Sequence, residues 1–204
     1  MRSESPTSSE PIGGAGYALD GWETNPNVPL GGVYADIYNY SPWVQQGSLV
    51  DAFVMLADND AHWAQVGWIE HPNGIRSSFY EARQANGQID ENVYLTPYPE
   101  GSTHLYEVLY NNTPGYYTFY IDGQLLIEFQ LGFTPTNAQE FGEVHNWKDQ
   151  MAGSTSQFEV FADAHVYQGG WRTFSGGGYD QSDWWGNDTY SATQDWIWDQ
   201  RCSS

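Results

Sequence analysis

The chain has 204 residues, and its 6 basic and 26 acidic residues give a formal net charge of −20. A surface this acidic repels phosphate backbones and anionic lipids, so nucleic acid and membranes are excluded as expected partners. The length suits one domain with a sizeable core, and the single cysteine, Cys202, excludes an internal disulfide.

The N-terminal segment differs in composition from the rest of the chain. Residues 1–15 are polar and rich in Ser, Pro and Gly, so we expect a disordered leader there. The segment has no apolar core of the signal-peptide type. Either a signal peptide has been removed, or the chain is cytosolic. The composition and the expected fold are typical of extracellular proteins, so we expect a secreted protein whose signal peptide is absent from this chain, with residues 16–204 forming a single β-sandwich domain.

Five strands are predicted in the first half of the chain. Gly32–Tyr38 is a candidate edge strand, and Ser48–Ala57 is almost continuously apolar, as in a strand covered on both faces. His62–Glu70 alternates between apolar and polar residues, and Ile75–Gln84 pairs back with it across a Pro-Asn-Gly turn. A further short strand is predicted at Asn92–Leu95.

A three-stranded meander is predicted at Leu105–Phe129. Alternating residues lead into the turn cluster 111–115, and an aromatic run at Tyr116–Ile121 follows. That run ends at Asp122-Gly123, a strong hairpin signal because both central residues of a type I′ turn need a positive φ.

Two more strands are predicted at Glu140–Trp147 and Gln157–Tyr167, and then the pattern ends. Residues 170–204 are rich in Trp, Gly and Asp and are predicted to be an irregular segment that wraps the sandwich or lies along a cleft. Short strands separated by Gly, Asn and Pro turns predict an all-β fold, a lectin-like (concanavalin-type) antiparallel jelly-roll β-sandwich.

A glutamine and a glutamate on different predicted strands form the first candidate for chemistry. Gln65 and Glu143 can share one water molecule if both lie on the concave face of a jelly roll. The carboxylate then acts as general base, and the amide donates hydrogen bonds to the developing oxyanion. The alternative is that both side chains only point to solvent from half-buried strands.

Three short motifs in residues 60–167 resemble the glutamic peptidases, small acid-acting β-sandwich enzymes with a Gln/Glu dyad. The motifs are Gln65-Val66-Gly67, Phe79-Tyr80-Glu81 and Glu140-Phe141-Gly142-Glu143. The resemblance implies an acid-acting peptidase in which Gln65 and Glu143 are catalytic. It also implies a set of substrate-binding residues: Trp63, Trp68, Tyr80, Glu81, His145 and Trp147.

The chain departs from that family at the third motif. The two glutamates are three residues apart instead of four, and Phe141 replaces the usual tryptophan. Because a strand exposes alternate residues, Glu140 and Glu143 face opposite sides. Glu143 is preferred as the catalytic acid because its neighbour Gly142 leaves room for a backbone to approach.

Two other classes of function remain open from the sequence. A non-catalytic carbohydrate-binding module would stack sugars on exposed aromatic side chains. Its candidates are Trp43, Trp63, Trp68, Trp147, Trp184 and Trp185. A glycoside hydrolase would use a facing pair of the glutamates in predicted strands, although no acid-rich ExDxE strand is present.

The sequence contains no diagnostic metal spacing. Asp58 and Asp60 flank a turn that suits calcium, although Asp and Asn are also common turn residues. We therefore expect no cofactor, with calcium at that turn as the alternative. The expected partner is a peptide or glycan substrate, and the expected state is a monomer.

Overall fold

The computed structural model describes residues 18–24, 26, 28–58, 62–72, 74–97, 99–111, 115–180 and 185–202, and all regular structure in them is β. The predicted leader at residues 1–15 lies outside the described residues. The strands are β1 Ala18–Thr24, β2 Gly32–Tyr38, β3 Val50–Asp58, β4 His62–His71, β5 Ile75–Arg83, β6 Ile89–Pro97, β7 Thr103–Asn111, β8 Tyr116–Ile121, β9 Gln124–Gln130, β10 Asn137–Val144, β11 Gly153–Ser154, β12 Gln157–Tyr167, β13 Trp171–Thr173, β14 Gly177–Asp180, β15 Trp185–Ser191 and β16 Gln194–Asp199.

The strands form two sheets. The seven-stranded sheet has the order β14-β1-β10-β3-β4-β5-β6. The nine-stranded sheet has the order β15-β16-β11-β12-β2-β7-β8-β9, with β13 paired to β12. Neighbouring strands are antiparallel except β11 and β16. The predicted all-β jelly-roll sandwich is confirmed.

Strand β3 shows how the apolar run fixes the centre of the fold. Its inward residues Ala52, Val54 and Leu56 belong to the core between the sheets. Its outward residues Phe53 and Met55 belong to a second apolar cluster on the other face of the same sheet. Burial on both faces explains the nearly unbroken apolar sequence, as predicted.

The predicted meander is confirmed as β7, β8 and β9. Asp122 and Gly123 connect β8 to β9 with φ angles of 51° and 71°. Both values are positive, as a two-residue type I′ turn requires. The Asp122 carboxylate also accepts a hydrogen bond from the backbone N–H of Leu105, so the turn is tied to β7.

Two predictions about the sheets are wrong. Strand β2 is not at an edge, because it lies between β12 and β7 in the nine-stranded sheet. The segment 170–204 is not irregular, because it contains β13 to β16. Strand β14 extends the seven-stranded sheet beside β1, and β16 extends the other sheet beside β12.

The C-terminal strands also contribute to the core. Trp185 and Ile197 are buried in the cluster between the two sheets. Glycine and aspartate interrupt β14, β15 and β16, so these short strands lack a clear alternation of apolar and polar residues. The described residues form no helix of the length and apolarity that a membrane crossing needs.

Candidate active site

A cavity of about 540 Å³ opens on the face of the seven-stranded sheet that is turned away from the other sheet. Its wall combines apolar and acidic side chains with one histidine, and its lining includes no lysine or arginine. The lining residues are Leu19, Glu23, Asp51, Phe53, Met55, Ala57, Trp63, Gln65, Glu81, Ile89, Gln139, Phe141, Glu143, His145 and Tyr179.

Strand register brings the polar side chains to this face. Met55 of β3 is the cross-strand partner of Gln65 of β4, and Gln65 is the partner of Glu81 of β5. Glu143 of β10 is the partner of Asp51 of β3. Partners in a sheet point to the same side, so residues from four strands meet in one cavity.

Two carboxyl groups and an imidazole converge at one end of the cavity. His145 Nε2 lies 3.3 Å from Asp51 Oδ2 and 3.9 Å from Glu143 Oε1. His145 follows the end of β10, where its backbone N–H donates to the carbonyl of Leu49. One oxygen of the buried Asp51 carboxyl, Oδ1, has no hydrogen-bond partner among the described residues.

Burial changes the protonation of this group of side chains. It raises the pKa of Glu143 to about 8, and the negative charges of Asp51 and Glu81 act in the same direction. Burial also raises the pKa of Asp51 well above its ordinary value. The pKa of His145 is lowered by burial, although the surrounding carboxylates oppose the shift. Two buried carboxyl groups this close cannot easily ionise together.

The other side of the cavity is organised around Trp63. Its indole N–H donates to Glu81 Oε1 at 2.8 Å, and the guanidinium of Arg83 lies 5.3 Å from the centre of its ring. Burial raises the pKa of Glu81, and the hydrogen bond from Trp63 partly offsets that rise. The indole therefore holds Glu81 in a fixed orientation beside Gln65.

The structure brings together five of the eight residues predicted for the site. They are Gln65, Glu143, Trp63, Glu81 and His145. Trp68 and Tyr80 do not line the cavity, and that prediction is wrong for both: they point from the opposite face into the core between the sheets. Trp147 lies beyond the end of β10, where Lys148 covers its ring.

The structure separates the two glutamates of β10. Glu140 points into the core between the sheets and is fully buried, whereas Glu143 reaches the cavity. Gly142 does not open a path to the site. A side chain at Gly142 would collide with Ile197 and Met151, so this glycine serves close packing in the core.

Asp51 belongs to the site although none of the sequence motifs includes it. It is the one charged residue within the apolar run Val50–Ala57. A lone acid in a strand covered on both faces is a signal that could have drawn attention to it. Its partner, Glu143, lies far away in sequence, so only the fold reveals the pair.

The other candidate residues lie apart from the cavity or outside the described residues. Asp58 pairs with His62 at 2.8 Å, and Asp60 lies outside the described residues. Among the tryptophans proposed to bind sugars, Trp68 and Trp185 are buried, and Trp184 lies outside the described residues.

Solved structures of similar fold include two peptidases. Scytalido-glutamic peptidase with a peptide-based transition state analog has a TM-score of 0.68 at 16% identity, covering 89% of this chain and 98% of that chain. SCP-B, an eqolisin-family peptidase in complex with the tripeptide Ala-Ile-His, has a TM-score of 0.63 at 15% identity, covering 89% of this chain and 98% of that chain.

A lichenase from a mouse hindgut metagenome is also similar, with a TM-score of 0.42 at 11% identity over 68% of this chain and 78% of that chain. No family model matches the sequence, and no curated protein matches it significantly. The chain therefore shares the fold of the glutamic peptidases, and the resemblance drawn from its motifs is confirmed at the level of the fold.

Proposed function

We propose that this protein is a hydrolase of the glutamic-peptidase type that cleaves peptide bonds in acid. The observation that carries the proposal is that Gln65 and Glu143, from two different strands, line one partly apolar cavity. The similar peptidase structures were solved with a peptide-based analog and a tripeptide. Their fold spans nearly the whole of this chain, which supports a peptide as the substrate.

In the proposed reaction, Glu143 takes a proton from a water molecule as that water attacks the scissile carbonyl carbon. The side-chain amide of Gln65 donates a hydrogen bond to the oxyanion that forms on the carbonyl oxygen. Glu143 then gives its proton to the leaving nitrogen as the carbon–nitrogen bond breaks. Trp63 and Glu81 border the same cavity and contact the bound chain.

Asp51 gives Glu143 a second carboxyl group with which it can share a proton. Oxygens of Asp51 and Glu143 lie within 4.8 Å of each other. Neighbouring carboxyl groups tend to share one proton, because ionising both brings two negative charges together. Between the two ionisations of the pair, one carboxylate and one carboxylic acid are present at the same time.

Cleavage of a denatured protein from about pH 2 to about pH 7 tests the proposal. Wild type is expected to cleave in the acid part of this range. Glu143→Gln is expected to lose at least about 100-fold in kcat/KM, because it removes the proton acceptor. Gln65→Ala is expected to lose on the order of 100-fold, because one oxyanion donor is gone.

Glu107→Gln is the matched control. It makes the same chemical change on β7 of the other sheet and should leave cleavage unchanged. Circular dichroism establishes that each variant is folded. Wild type that cleaves no protein at any pH, or a folded Glu143→Gln variant that cleaves as wild type does, would contradict the proposal.

Secretion belongs to the same proposal. A peptidase that works in acid needs an acidic medium, and the strongly acidic composition suits solubility outside the cell at neutral pH. Recovery of the active protein from the medium of the producing organism, without cell lysis, tests this part.

Glycoside hydrolysis is the second candidate, favoured by the facing carboxyl groups of Asp51 and Glu143. Retaining glycosidases hold two carboxyl groups about 5–5.5 Å apart, and the nearest oxygens here lie within 4.8 Å. Release of reducing sugar from β-glucan by wild type, lost in both Asp51→Asn and Glu143→Gln, would favour this candidate over peptide cleavage.

A further inference from the structure

The acidic end of the cavity has the donor set of a metal site. Asp51, Glu143 and His145 each direct one ligand atom to a common region, and these three atoms lie within 4.8 Å of one another. Donor atoms around a tetrahedral zinc ion lie about 3.4 Å apart, given bonds of about 2.1 Å. The separations of 3.3 Å and 3.9 Å from His145 Nε2 to the two carboxylates are close to that value.

A second observation concerns Asp51 alone. Its side chain is 4% exposed, and Oδ1 has no hydrogen-bond partner among the described residues. Buried carboxylate oxygens are normally satisfied by a donor or a cation. Among the described residues, the cavity lining has several acidic side chains and no lysine or arginine, and the guanidinium of Arg83 lies 5.3 Å from the ring of Trp63 on the other side of the cavity.

We propose that Asp51, Glu143 and His145 bind a divalent transition-metal ion, with Zn²⁺ as the representative ion. One imidazole nitrogen with two carboxylate oxygens suits zinc and its first-row neighbours. Calcium prefers six to eight oxygen ligands, which this set does not supply. Three protein ligands leave a fourth position that opens to the cavity.

The site differs from the calcium turn considered at Asp58 and Asp60, because it uses other residues and another class of ion. Metal binding does not depend on the proposed hydrolysis. Its consequence for peptide cleavage rests on the proposed function. A metal ion bound to the Glu143 carboxylate would occupy the oxygen that accepts the proton of the attacking water. Zinc is therefore expected to inhibit cleavage, and a chelator to restore it.

Calorimetric titration of the tag-free chain with Zn²⁺ at about pH 7.5, where an ordinary imidazole is neutral, tests the site. Wild type is expected to bind one ion. Asp51→Asn and His145→Gln are each expected to weaken binding by at least about 10-fold, because each removes one of three ligands. His62→Gln is the matched control, since His62 faces the single carboxylate of Asp58, and it should bind as wild type does.

The visible absorption of bound Co²⁺ gives a second measurement that needs no variant. Bands of the intensity typical of a four-coordinate ion, at one equivalent, support the site. Absence of binding by wild type, or equal binding by folded Asp51→Asn and wild type, would overturn the metal proposal. Neither result bears on peptide cleavage, which is measured separately with chelator present.

Discussion

At the scale of single residues, two buried glutamates differ in whether their carboxyl oxygens accept hydrogen bonds. Both Glu140 and Glu159 are fully buried, and burial raises the pKa of each well above its ordinary value. Glu159 accepts hydrogen bonds from the indole of Trp68 and the backbone N–H of Tyr40. Neither oxygen of Glu140 has a hydrogen-bond partner among the described residues.

Glu140→Gln is expected to stabilise the fold at neutral pH. Folded Glu140 must stay protonated, whereas an unfolded glutamate ionises above about pH 4. Stability is therefore lost as the pH rises, and a neutral amide avoids that loss. We expect a gain of roughly 1–3 kcal/mol in the free energy of unfolding near pH 7 and little change near pH 4. Urea unfolding at both values measures it.

Glu159→Gln provides the contrast. There the substitution also removes an ionisable group whose pKa is raised by burial, but it turns an amide N–H₂ group toward one of two donors. Near pH 7 we therefore expect Glu159→Gln to be less favourable than Glu140→Gln by roughly 1–2 kcal/mol in the free energy of unfolding. Equal changes in the two variants would show that the difference in hydrogen bonding is not the cause.

At the scale of elements, Arg201 connects the C-terminal strand to the loop that follows β10. Its guanidinium donates to the backbone carbonyls of Trp147 and Asp149 at 2.8 Å and 2.7 Å. It also pairs with the fully buried Asp199 at 2.6 Å. Because this loop begins at His145, Arg201 supports one end of the cavity from outside the cavity.

Arg201→Ala is expected to lower the free energy of unfolding by about 3 kcal/mol, because it leaves the buried Asp199 carboxylate without its cation. Arg172→Ala is the control. Arg172 is exposed, and its guanidinium donates to the side chain of Gln168, so we expect a change of less than about 0.5 kcal/mol. Chemical denaturation of both variants measures the difference, and similar losses would contradict the assignment.

Strands and turns were predictable from the sequence where a few consecutive residues determine them. The Asp122-Gly123 turn fixes two strands through backbone geometry alone, and the apolar run of β3 identifies a doubly covered strand. The central place of β2 was beyond reach because its partner strands, β7 and β12, lie far along the chain. Within the site, the alternation of β10 separates Glu143 from Glu140, but nothing local pairs Glu143 with Asp51.

At the scale of the whole molecule, the buried carboxyl groups give stability a common pH dependence. Burial raises the pKa of Asp51, Glu70, Glu81, Glu140, Asp149 and Glu159, and that of Glu143 to about 8. Over the interval between the unfolded and folded pKa values, the folded state holds more protons than the unfolded state. Stability therefore falls as the pH rises above about 4.

We expect Tm to be highest in mild acid and to decline toward pH 8. His145 acts in the opposite direction, since burial lowers its pKa, but one group is outweighed by seven. The net charge of −20 adds self-repulsion at neutral pH. Added salt should therefore raise Tm more at about pH 8 than at about pH 4. Differential scanning calorimetry measures both trends, and a maximum Tm near pH 8 would contradict them.

The pairing of early strands with late ones has a consequence for biosynthesis. Asp20 pairs with Asp180 in one sheet, and Ile37 pairs with Phe161 in the other. A chain that stops before Trp185 holds all seven strands of one sheet but lacks β15 and β16 of the other sheet. It also lacks Trp185 and Ile197, which belong to the core between the sheets. The core is therefore complete only when these late residues have been made, and until then its apolar surface must be kept from aggregating.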